Sequence, residues 1–206
     1  EATGRQAAFA KAASLASRSD LEGLVAAAQD RFGHIDILVC NAATNPFYGP
    51  MSAISDEQFD KVLKNNVLAN HWLVQMVAPH MAERGAGSII IVSSVGGLAG
   101  SSALGAYNIS KAADMQLARN LAVELGPRGI TTNAIAPGLV KTDFARALWE
   151  DPETAGRVIQ ATPLRRFGMP DEIAGAAVFL ASPAGRYVNG HTLVIDGGMT
   201  IADVMM

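Results

Sequence analysis

The chain contains few charged residues, few aromatic residues and no long apolar run. Of its 206 residues, 17% are charged and 6% are aromatic, and the net charge is −3. No block of lysine or arginine occurs, which argues against nucleic acid or an anionic membrane surface as a partner. The longest apolar runs fall well short of the roughly 18 residues that a membrane span needs, so we expect no membrane span.

Cysteine and histidine are too sparse for a disulfide framework or a metal centre. Cys40 is the single cysteine and lies in the apolar run Ile35–Cys40. It has no partner for an intrachain disulfide, so we expect a buried thiol and a reducing, cytoplasmic location. The histidines show no spacing typical of metal ligands, and we predict no metal site. They are His34, His71, His80 and His191.

What the chain does contain is apolar sequence in short runs that alternate with helical patterns. Half of the residues are hydrophobic, and a chain of this length suits one domain, which we predict over residues 1–206. The strands are predicted at Ile35–Cys40, Ser88–Ser93 and Ile130–Ala136, with a weaker one at residues 6–13 and a possible fifth at Thr192–Ile195. The helices are predicted at Asp20–Phe32, Asp56–Arg84, Tyr107–Leu125 and Pro170–Ala181.

This alternation predicts an α/β fold. Strands and helices at such spacing form βαβ units, which build a parallel sheet covered by helices on both faces. The segment Lys141–Gly168 differs from the rest because it mixes aromatic residues with charges and a proline. We expect it to form a lid or a loop rather than part of the framework.

Tyr107, Lys111 and Ser94 together supply a phenol, an ammonium and a hydroxyl. If Tyr107 begins a helix, Lys111 lies one turn later on the same face. A lysine charge near a phenol lowers its pKa from about 10, which suits a general acid or base acting on a carbonyl or an alcohol. The Tyr–Lys spacing alone occurs by chance in about a third of chains this long, so the interpretation depends on its context.

Small or polar residues follow three of the predicted strands. They are Asn41–Thr44 after the first strand, Ser93–Gly97 after the second and Pro137–Thr142 after the third. The carboxyl ends of parallel strands meet at one edge of a sheet, where ligands bind. There the amide of Asn41, the hydroxyl of Ser94 and the backbone near Val140 would converge.

Asn65 and Asn66 stand in the middle of a predicted helix, where asparagine is unfavourable. Their amides either bond to solvent without consequence, or hold a water molecule or a local distortion of the helix near a site. The sequence leaves both possibilities open.

Taken together, these motifs resemble the short-chain dehydrogenase/reductase family over nearly the whole chain. The matching residues are Ile35–Ala43, Asn66, Val67, Ser88–Ser94, Tyr107–Lys111, Asn133–Gly138, Thr142 and Gly190–Gly198. The segment Asn41–Pro50 is also similar to the carbonyl and retinal reductase branch of that family. The resemblance implies a Rossmann-type, doubly wound parallel sheet between two layers of helices.

The resemblance also implies roles for single residues. Tyr107 would donate or accept the proton, and Lys111 would tune it and bind the nicotinamide ribose of NAD or NADP. Ser94 would polarise the substrate oxygen, and Asn66 would hold a water molecule in a proton relay. The remaining cofactor contacts implied are Asn41, Ala42 and Ala43 on the adenine side, and Pro137, Gly138, Val140 and Thr142 at the nicotinamide carboxamide.

One element of the family is missing from the sequence. Its members begin with a strand, a glycine-rich turn, a helix and a second strand, and that turn binds the pyrophosphate. By the resemblance, we expect that an N-terminal portion on the order of 50 residues precedes the printed sequence. An inactive, truncated relative is the alternative.

The resemblance implies an NAD(P)-dependent oxidoreductase that interconverts a ketone or aldehyde and an alcohol, with a small-molecule substrate. A homo-oligomer, either a dimer or a tetramer, is also implied. One alternative is a non-catalytic binding or scaffold protein of the same fold. Another is a 3-oxoacyl-(acyl carrier protein) reductase, which would need a basic docking surface that a net charge of −3 does not indicate.

Overall fold

The computed structural model describes residues 8–202. Its helices are α1 (Arg18–Phe32), α2 (Asp56–Leu63), α3 (Ala69–Arg84), α4 (Gly105–Leu125), α5 (Arg146–Glu150), α6 (Pro152–Ala161) and α7 (Pro170–Ala181). Its strands are β1 (Ile37–Cys40), β2 (Gly87–Val92), β3 (Ile130–Pro137) and β4 (Thr192–Ile195).

The four strands form one parallel sheet in the order β1-β2-β3-β4. Cys40 lies opposite Ile91, Val92 opposite Ile135, and Pro137 opposite Ile195. All four carboxyl ends therefore lie along the same edge of the sheet. The predicted α/β fold, a doubly wound parallel sheet flanked by helices, is confirmed.

Alternate residues of the central strands face opposite layers of helices, as the two-residue period of a strand requires. Ile89 and Ile91 pack with α1, α3 and α4, whereas Ile90 and Ile135 pack with Leu180 of α7. These isoleucines are fully buried. Such strands read as continuous apolar runs because both faces of the sheet are covered.

The weak strand predicted at residues 6–13 is not found. Residues 8–13 form no strand and are mostly exposed, while residues 6 and 7 lie outside the described part of the chain. The segment is rich in alanine and has no β-branched residue, so it has little tendency to form a strand.

Two other predictions need adjustment. Helix α1 begins earlier than predicted, because Ser17 rather than Asp20 is its N-cap and accepts a hydrogen bond from the Asp20 N–H. Gly33 ends it at a positive φ of 85°, as expected. The segment predicted as a lid or loop contains the two short helices α5 and α6.

The long helix predicted at Asp56–Arg84 is interrupted at Lys64–Leu68 by one turn of π-helix. There the Ala69 N–H bonds to the Lys64 carbonyl, five residues back instead of four. Of the two readings that the sequence allowed for Asn65 and Asn66, the structure therefore has the local distortion.

Candidate active site

The loops after β1, β2 and β3 meet at the carboxyl edge of the sheet. Asn41–Ala43 follow β1, Ser94 follows β2, and Gly138–Thr142 follow β3. The β2 loop is tied to β3 by a 2.7 Å hydrogen bond from the Ser93 N–H to the Ile135 carbonyl. The structure thus brings the three predicted segments to one edge.

Tyr107 reaches this edge from the first turn of α4, where it is partly buried. The turn Val95–Leu98, which directly follows Ser94, packs on α4 at very short range. A Cβ atom on Gly97 would lie 2.7 Å from the backbone nitrogen of Ala112 and the carbonyl carbon of Lys111. Only glycine allows this approach, which keeps Ser94 beside the helix that carries Tyr107.

Lys111 lies one turn after Tyr107, as predicted, with its Nζ atom 5.7 Å from the centroid of the tyrosine ring. Its side chain is almost fully buried. Two of the three N–H groups of the ammonium are used: one donates to the Val92 carbonyl at 2.8 Å and one to the Asp114 carboxylate at 3.1 Å. One N–H remains for a ligand.

The pKa of Tyr107 is raised above its usual value of 10. Burial of the phenol is the main cause, because it disfavours the charged phenolate, and the charge of Asp114 acts in the same direction. A hydrogen bond with Ser94 lowers the pKa and opposes them. The net shift of the Tyr107 pKa is therefore upward, opposite to the direction expected from Lys111, because burial outweighs the hydrogen bond with Ser94.

Asn66 lies in the π-turn and joins three elements. Its side-chain amide donates to the Thr44 carbonyl and to the Ser110 hydroxyl, both at 3.0 Å, and its oxygen accepts from the Thr44 N–H at 2.8 Å. Ser110 in turn donates to the Tyr107 carbonyl at 2.7 Å. Both amide protons of Asn66 are thus used to hold the loop after β1 and helix α4 against the π-turn. The role of Asn66 as a water ligand stays a prediction.

The residues predicted to contact the cofactor stand at the ends of β1 and β3 and in the loops that follow these strands. Asn41 and Ala42 are exposed at the end of β1, and Ala43 is half-buried. After β3, Gly168 bonds to the Leu139 carbonyl and to the Lys141 N–H, so the intervening Val140 turns its own backbone groups away from Gly168. The half-buried residues along this stretch are Pro137, Gly138, Val140 and Thr142.

This arrangement fits the nicotinamide end of NAD or NADP. A carboxamide needs both a donor and an acceptor, and the backbone of Val140 with the hydroxyl of Thr142 offers both. The unused N–H of Lys111 suits a ribose hydroxyl. Small side chains at Ala42 and Ala43 leave room for a flat ring against the backbone.

An aromatic segment covers the same edge of the sheet. The ring centroids of Phe144 and Tyr107 are 6.2 Å apart, and Phe144 is 63% exposed. Trp149 of α5 donates to the Thr142 carbonyl at 2.8 Å, and the Lys141 ammonium lies 5.0 Å from the centroid of its ring. The segment thus places an apolar surface above Tyr107.

Sequence reasoning missed Asp114 and Asn70. Asp114 is fully buried; one carboxylate oxygen accepts from Lys111 and the other from the Asn70 amide at 3.0 Å. The signal was an acidic residue three positions after Lys111, on a helix face that is otherwise mostly apolar. Asn70 stands four residues after Asn66, on the same side of the helix.

Neither a metal centre nor a membrane span is found in residues 8–202. No three His, Cys, Asp or Glu side chains there are grouped to hold a metal ion. No helix in that range combines the length and the apolar character needed to cross a membrane.

Comparison with known proteins gives the chain its relatives. A family model described as enoyl-(acyl carrier protein) reductase matches residues 1–200. Over 179 residues, or 87% of this chain, it is 46% identical to dehydrogenase/reductase SDR family member 4 of Oryctolagus cuniculus. The chain spans about two thirds of the curated relatives it matches, 69% of the rabbit protein and 64% of its counterpart in Mus musculus.

Two solved structures have the same fold. Gluconate 5-dehydrogenase from Burkholderia cenocepacia, in complex with NADP and tartrate, matches with a TM-score of 0.87 and 34% identity over 92% of this chain and 74% of that one. A 7α-hydroxysteroid dehydrogenase complexed with NADH and 7-oxo glycochenodeoxycholic acid matches with a TM-score of 0.88 and 36% identity, over 92% and 73%.

Fold, site and relatives define the class as oxidoreductases that act on CH–OH groups with NAD or NADP as the cofactor. Within this class, the chain belongs to the short-chain dehydrogenase/reductase family.

Proposed function

We propose that this chain carries the catalytic site of an NAD(P)-dependent oxidoreductase that interconverts a ketone or aldehyde and an alcohol. The observation that carries the proposal is the meeting of three groups at one sheet edge: the Tyr107 phenol, the Ser94 hydroxyl and the Lys111 ammonium. They supply a proton, a hydrogen bond to the reacting oxygen and a positive charge.

When bound, NAD(P)H supplies the hydride. The residues of this chain handle the oxygen of the substrate. Tyr107 gives its proton to the carbonyl oxygen during reduction and takes it back during oxidation. Ser94 donates a hydrogen bond that holds this oxygen in place. Lys111, Val140 and Thr142 orient the ribose and the nicotinamide, and Asn41–Ala43 line the adenine side.

Near neutral pH, Tyr107 carries the proton that carbonyl reduction requires. A phenol whose pKa is raised is protonated at pH 7 and therefore ready to act as an acid. Oxidation of an alcohol needs the phenolate, so we expect its rate to rise with pH.

We propose a medium-sized, largely apolar carbonyl compound as the substrate, as in the carbonyl reductase branch of the family. Phe144 stands 6.2 Å from Tyr107 on one side of the site. On the other side, Gly49 pairs with Leu104 just before α4 and brings exposed Tyr48 close to the start of that helix. The 7-oxo steroid in the complex of the similar hydroxysteroid dehydrogenase is a ketone of this kind.

A homo-oligomer, dimer or tetramer, and a cytoplasmic location complete the proposal. The outer layer of the fold exposes apolar side chains: Val178 is 67%, Phe179 40% and Val194 37% exposed. Burying such surface between subunits is favourable. The single cysteine, Cys40, is a buried free thiol, which suits a reducing compartment.

Replacing Tyr107 with phenylalanine tests the mechanism. Tyr107→Phe removes only the hydroxyl, and we expect the rate of carbonyl reduction to fall by roughly 10²–10⁴-fold, with the circular dichroism spectrum unchanged. The control is Tyr187→Phe, because Tyr187 is fully exposed and its hydroxyl contacts no part of the site. If Tyr107→Phe kept more than about a tenth of the rate, Tyr107 would not be the proton donor.

A further inference from the structure

Within α4, the buried residues include two that carry a charge, Lys111 and Asp114. Lys111 is 2% exposed and Asp114 is completely inaccessible. A single buried charge is very costly, so each requires the other. Their side chains meet at 3.1 Å, one helical turn apart.

Each oxygen of Asp114 has its own donor. Oδ2 accepts from Lys111 Nζ, and Oδ1 accepts from the Asn70 amide at 3.0 Å. The same Asn70 nitrogen also donates to the Asn66 carbonyl at 2.6 Å, in the π-turn. The carboxylate is thereby fixed between α4 and α3, and so is the lysine that it binds.

This pairing determines what Lys111 can do at the active site. Asp114 and the Val92 carbonyl hold the ammonium in one position and leave a single N–H free. The carboxylate also reduces the positive charge that Tyr107 experiences from a lysine 5.7 Å away. The charge of Asp114 accordingly contributes, after burial, to the raised pKa of Tyr107.

The other elements packed around the pair present neutral groups. From α3 and the π-turn these are the amides of Asn70 and Asn66. From β1 it is the Cys40 thiol, whose pKa burial raises to about 12, with smaller opposing contributions from Asp114 and Lys111. From the β2 loop it is the Ser94 hydroxyl. The Lys141 ammonium is charged, but it lies against the ring of Trp149. Lys111 and Asp114 therefore set the charge balance at Tyr107.

We propose that Asp114 is a positioning residue that anchors the Lys111 ammonium and offsets its charge, and so sets the pH range in which Tyr107 exchanges its proton. This inference rests on the proposed function. It adds to that function a residue two helical turns from Tyr107.

The test is Asp114→Asn, which keeps the shape and removes the charge. The ionisation of Tyr107 is read without turnover, as the ultraviolet difference titration between each protein and the same protein carrying Tyr107→Phe. We expect the midpoint of Tyr107 to fall by about one pH unit or more. The rising limb of the pH profile for alcohol oxidation should move to lower pH by the same amount.

Two variants serve as controls. Glu124→Gln removes a negative charge from the exposed end of the same helix, ten residues from Asp114, and should leave the midpoint unchanged. Asp114→Glu restores the charge and should bring the midpoint back toward that of the unsubstituted protein. A midpoint that is the same in Asp114→Asn and in the unsubstituted protein overturns the proposal.

Asp114→Asn leaves Lys111 buried without its partner, and circular dichroism checks that the variant folds. If it does not fold, the double variant Lys111→Met/Asp114→Leu decides, because replacing a buried ion pair by apolar residues usually leaves a protein folded. A Tyr107 midpoint within about half a pH unit of that of the unsubstituted protein supports the proposal that the two charges offset each other, and a midpoint that rises by about one pH unit or more overturns it. An unsubstituted protein that reduces no carbonyl compound with NADH or NADPH would refute the proposed function, while the titration would still test Asp114.

Discussion

At the scale of single residues, the site depends on how closely the turn after Ser94 can approach α4. Gly97 has no side chain, and the backbone of Lys111 and Ala112 occupies the space that a Cβ atom would fill. Ser94 and Tyr107 belong to different elements, so their separation is fixed by this contact. Catalysis is sensitive to errors of about 1 Å in such positions.

Gly97→Ala should therefore damage both stability and activity. A Cβ atom 2.7 Å from two backbone atoms cannot be accommodated without moving the turn. We expect the free energy of unfolding to fall by about 1–3 kcal/mol and kcat/KM for carbonyl reduction to fall roughly tenfold or more. Urea denaturation and steady-state kinetics measure the two effects.

Gly100→Ala is the matched control, because a Cβ atom at Gly100 would have nothing within 4 Å. Its free energy of unfolding should change by no more than about 0.5 kcal/mol. Equal losses in the two variants would show that the close packing at Gly97 does not hold Ser94.

The spacing of Tyr107 and Lys111 was sufficient to predict that both lie on one helix face. It was not sufficient to predict the pKa of Tyr107, which depends on burial and on Asp114. The carboxylate of Asp114 accepts a hydrogen bond from the amide of Asn70, which lies 44 residues earlier in the chain. Local periodicity carries no information about such a long-range contact.

At the scale of elements, the observed ends of helices and strands matched the predicted ones where a local sequence signal marks the end. Helix α7 and strand β4 have the bounds that were predicted, and Pro170 at the first position of α7 is such a signal. The π-turn in the long helix is different. Asn65 and Asn66 indicated an irregularity in this helix. The form of the irregularity, a π-turn, depends on Thr44 and Ser110, which bond to Asn66 from outside the helix.

The start of α7 is stabilised by an ion pair that should respond to pH. Both oxygens of Glu172 accept from Arg166, at 2.6 and 2.7 Å, and one also accepts from the Met169 N–H at 2.8 Å. These bonds lower the pKa of Glu172 from 4.5 to about 2. Since the folded pKa is lower than the unfolded one, the stabilisation is complete above pH 4.5 and is lost as the pH falls toward 2.

Glu172→Gln should therefore lower the melting temperature at pH 7, and the difference from the unsubstituted protein should shrink steadily below pH 4.5. Scanning calorimetry at several pH values measures it. In the control, Glu153→Gln, the carboxylate stands in the first turn of α6 but its arginine is 3.8 Å away, so the difference should be smaller. A difference for Glu172→Gln that does not change with pH would contradict the assignment.

At the scale of the whole molecule, the sheet joins two apolar layers that share the same strands. Ile89 and Ile91 belong to the layer of α1, α3 and α4, whereas Ile90, between them, belongs to the layer of α7. When the helices of one layer detach, the strands lose packing on one face, and the other layer packs against these same strands. We therefore expect the described part of the chain to unfold as one cooperative unit.

Leu180→Ala tests this expectation from the α7 side. Leu180 is 2% exposed and packs against Ile90 and Ile135, so its truncation should lower the free energy of unfolding by about 2–5 kcal/mol. Trp72 on α3 packs in the other layer and reports on it when Trp149 is replaced by phenylalanine. Its urea midpoint should fall together with the midpoint followed by circular dichroism.

The control for this prediction lies on the same helix. Val178 is 67% exposed, so Val178→Ala removes little buried surface, and its free energy of unfolding should change by no more than about 0.5 kcal/mol. If Leu180→Ala lowered the midpoint followed by circular dichroism and left that of Trp72 unchanged, the two layers would unfold independently. The active site takes Ser94 from the end of β2, Lys111 from α4 and Val140 from the end of β3. Independent unfolding would mean that no single cooperative core holds these residues together.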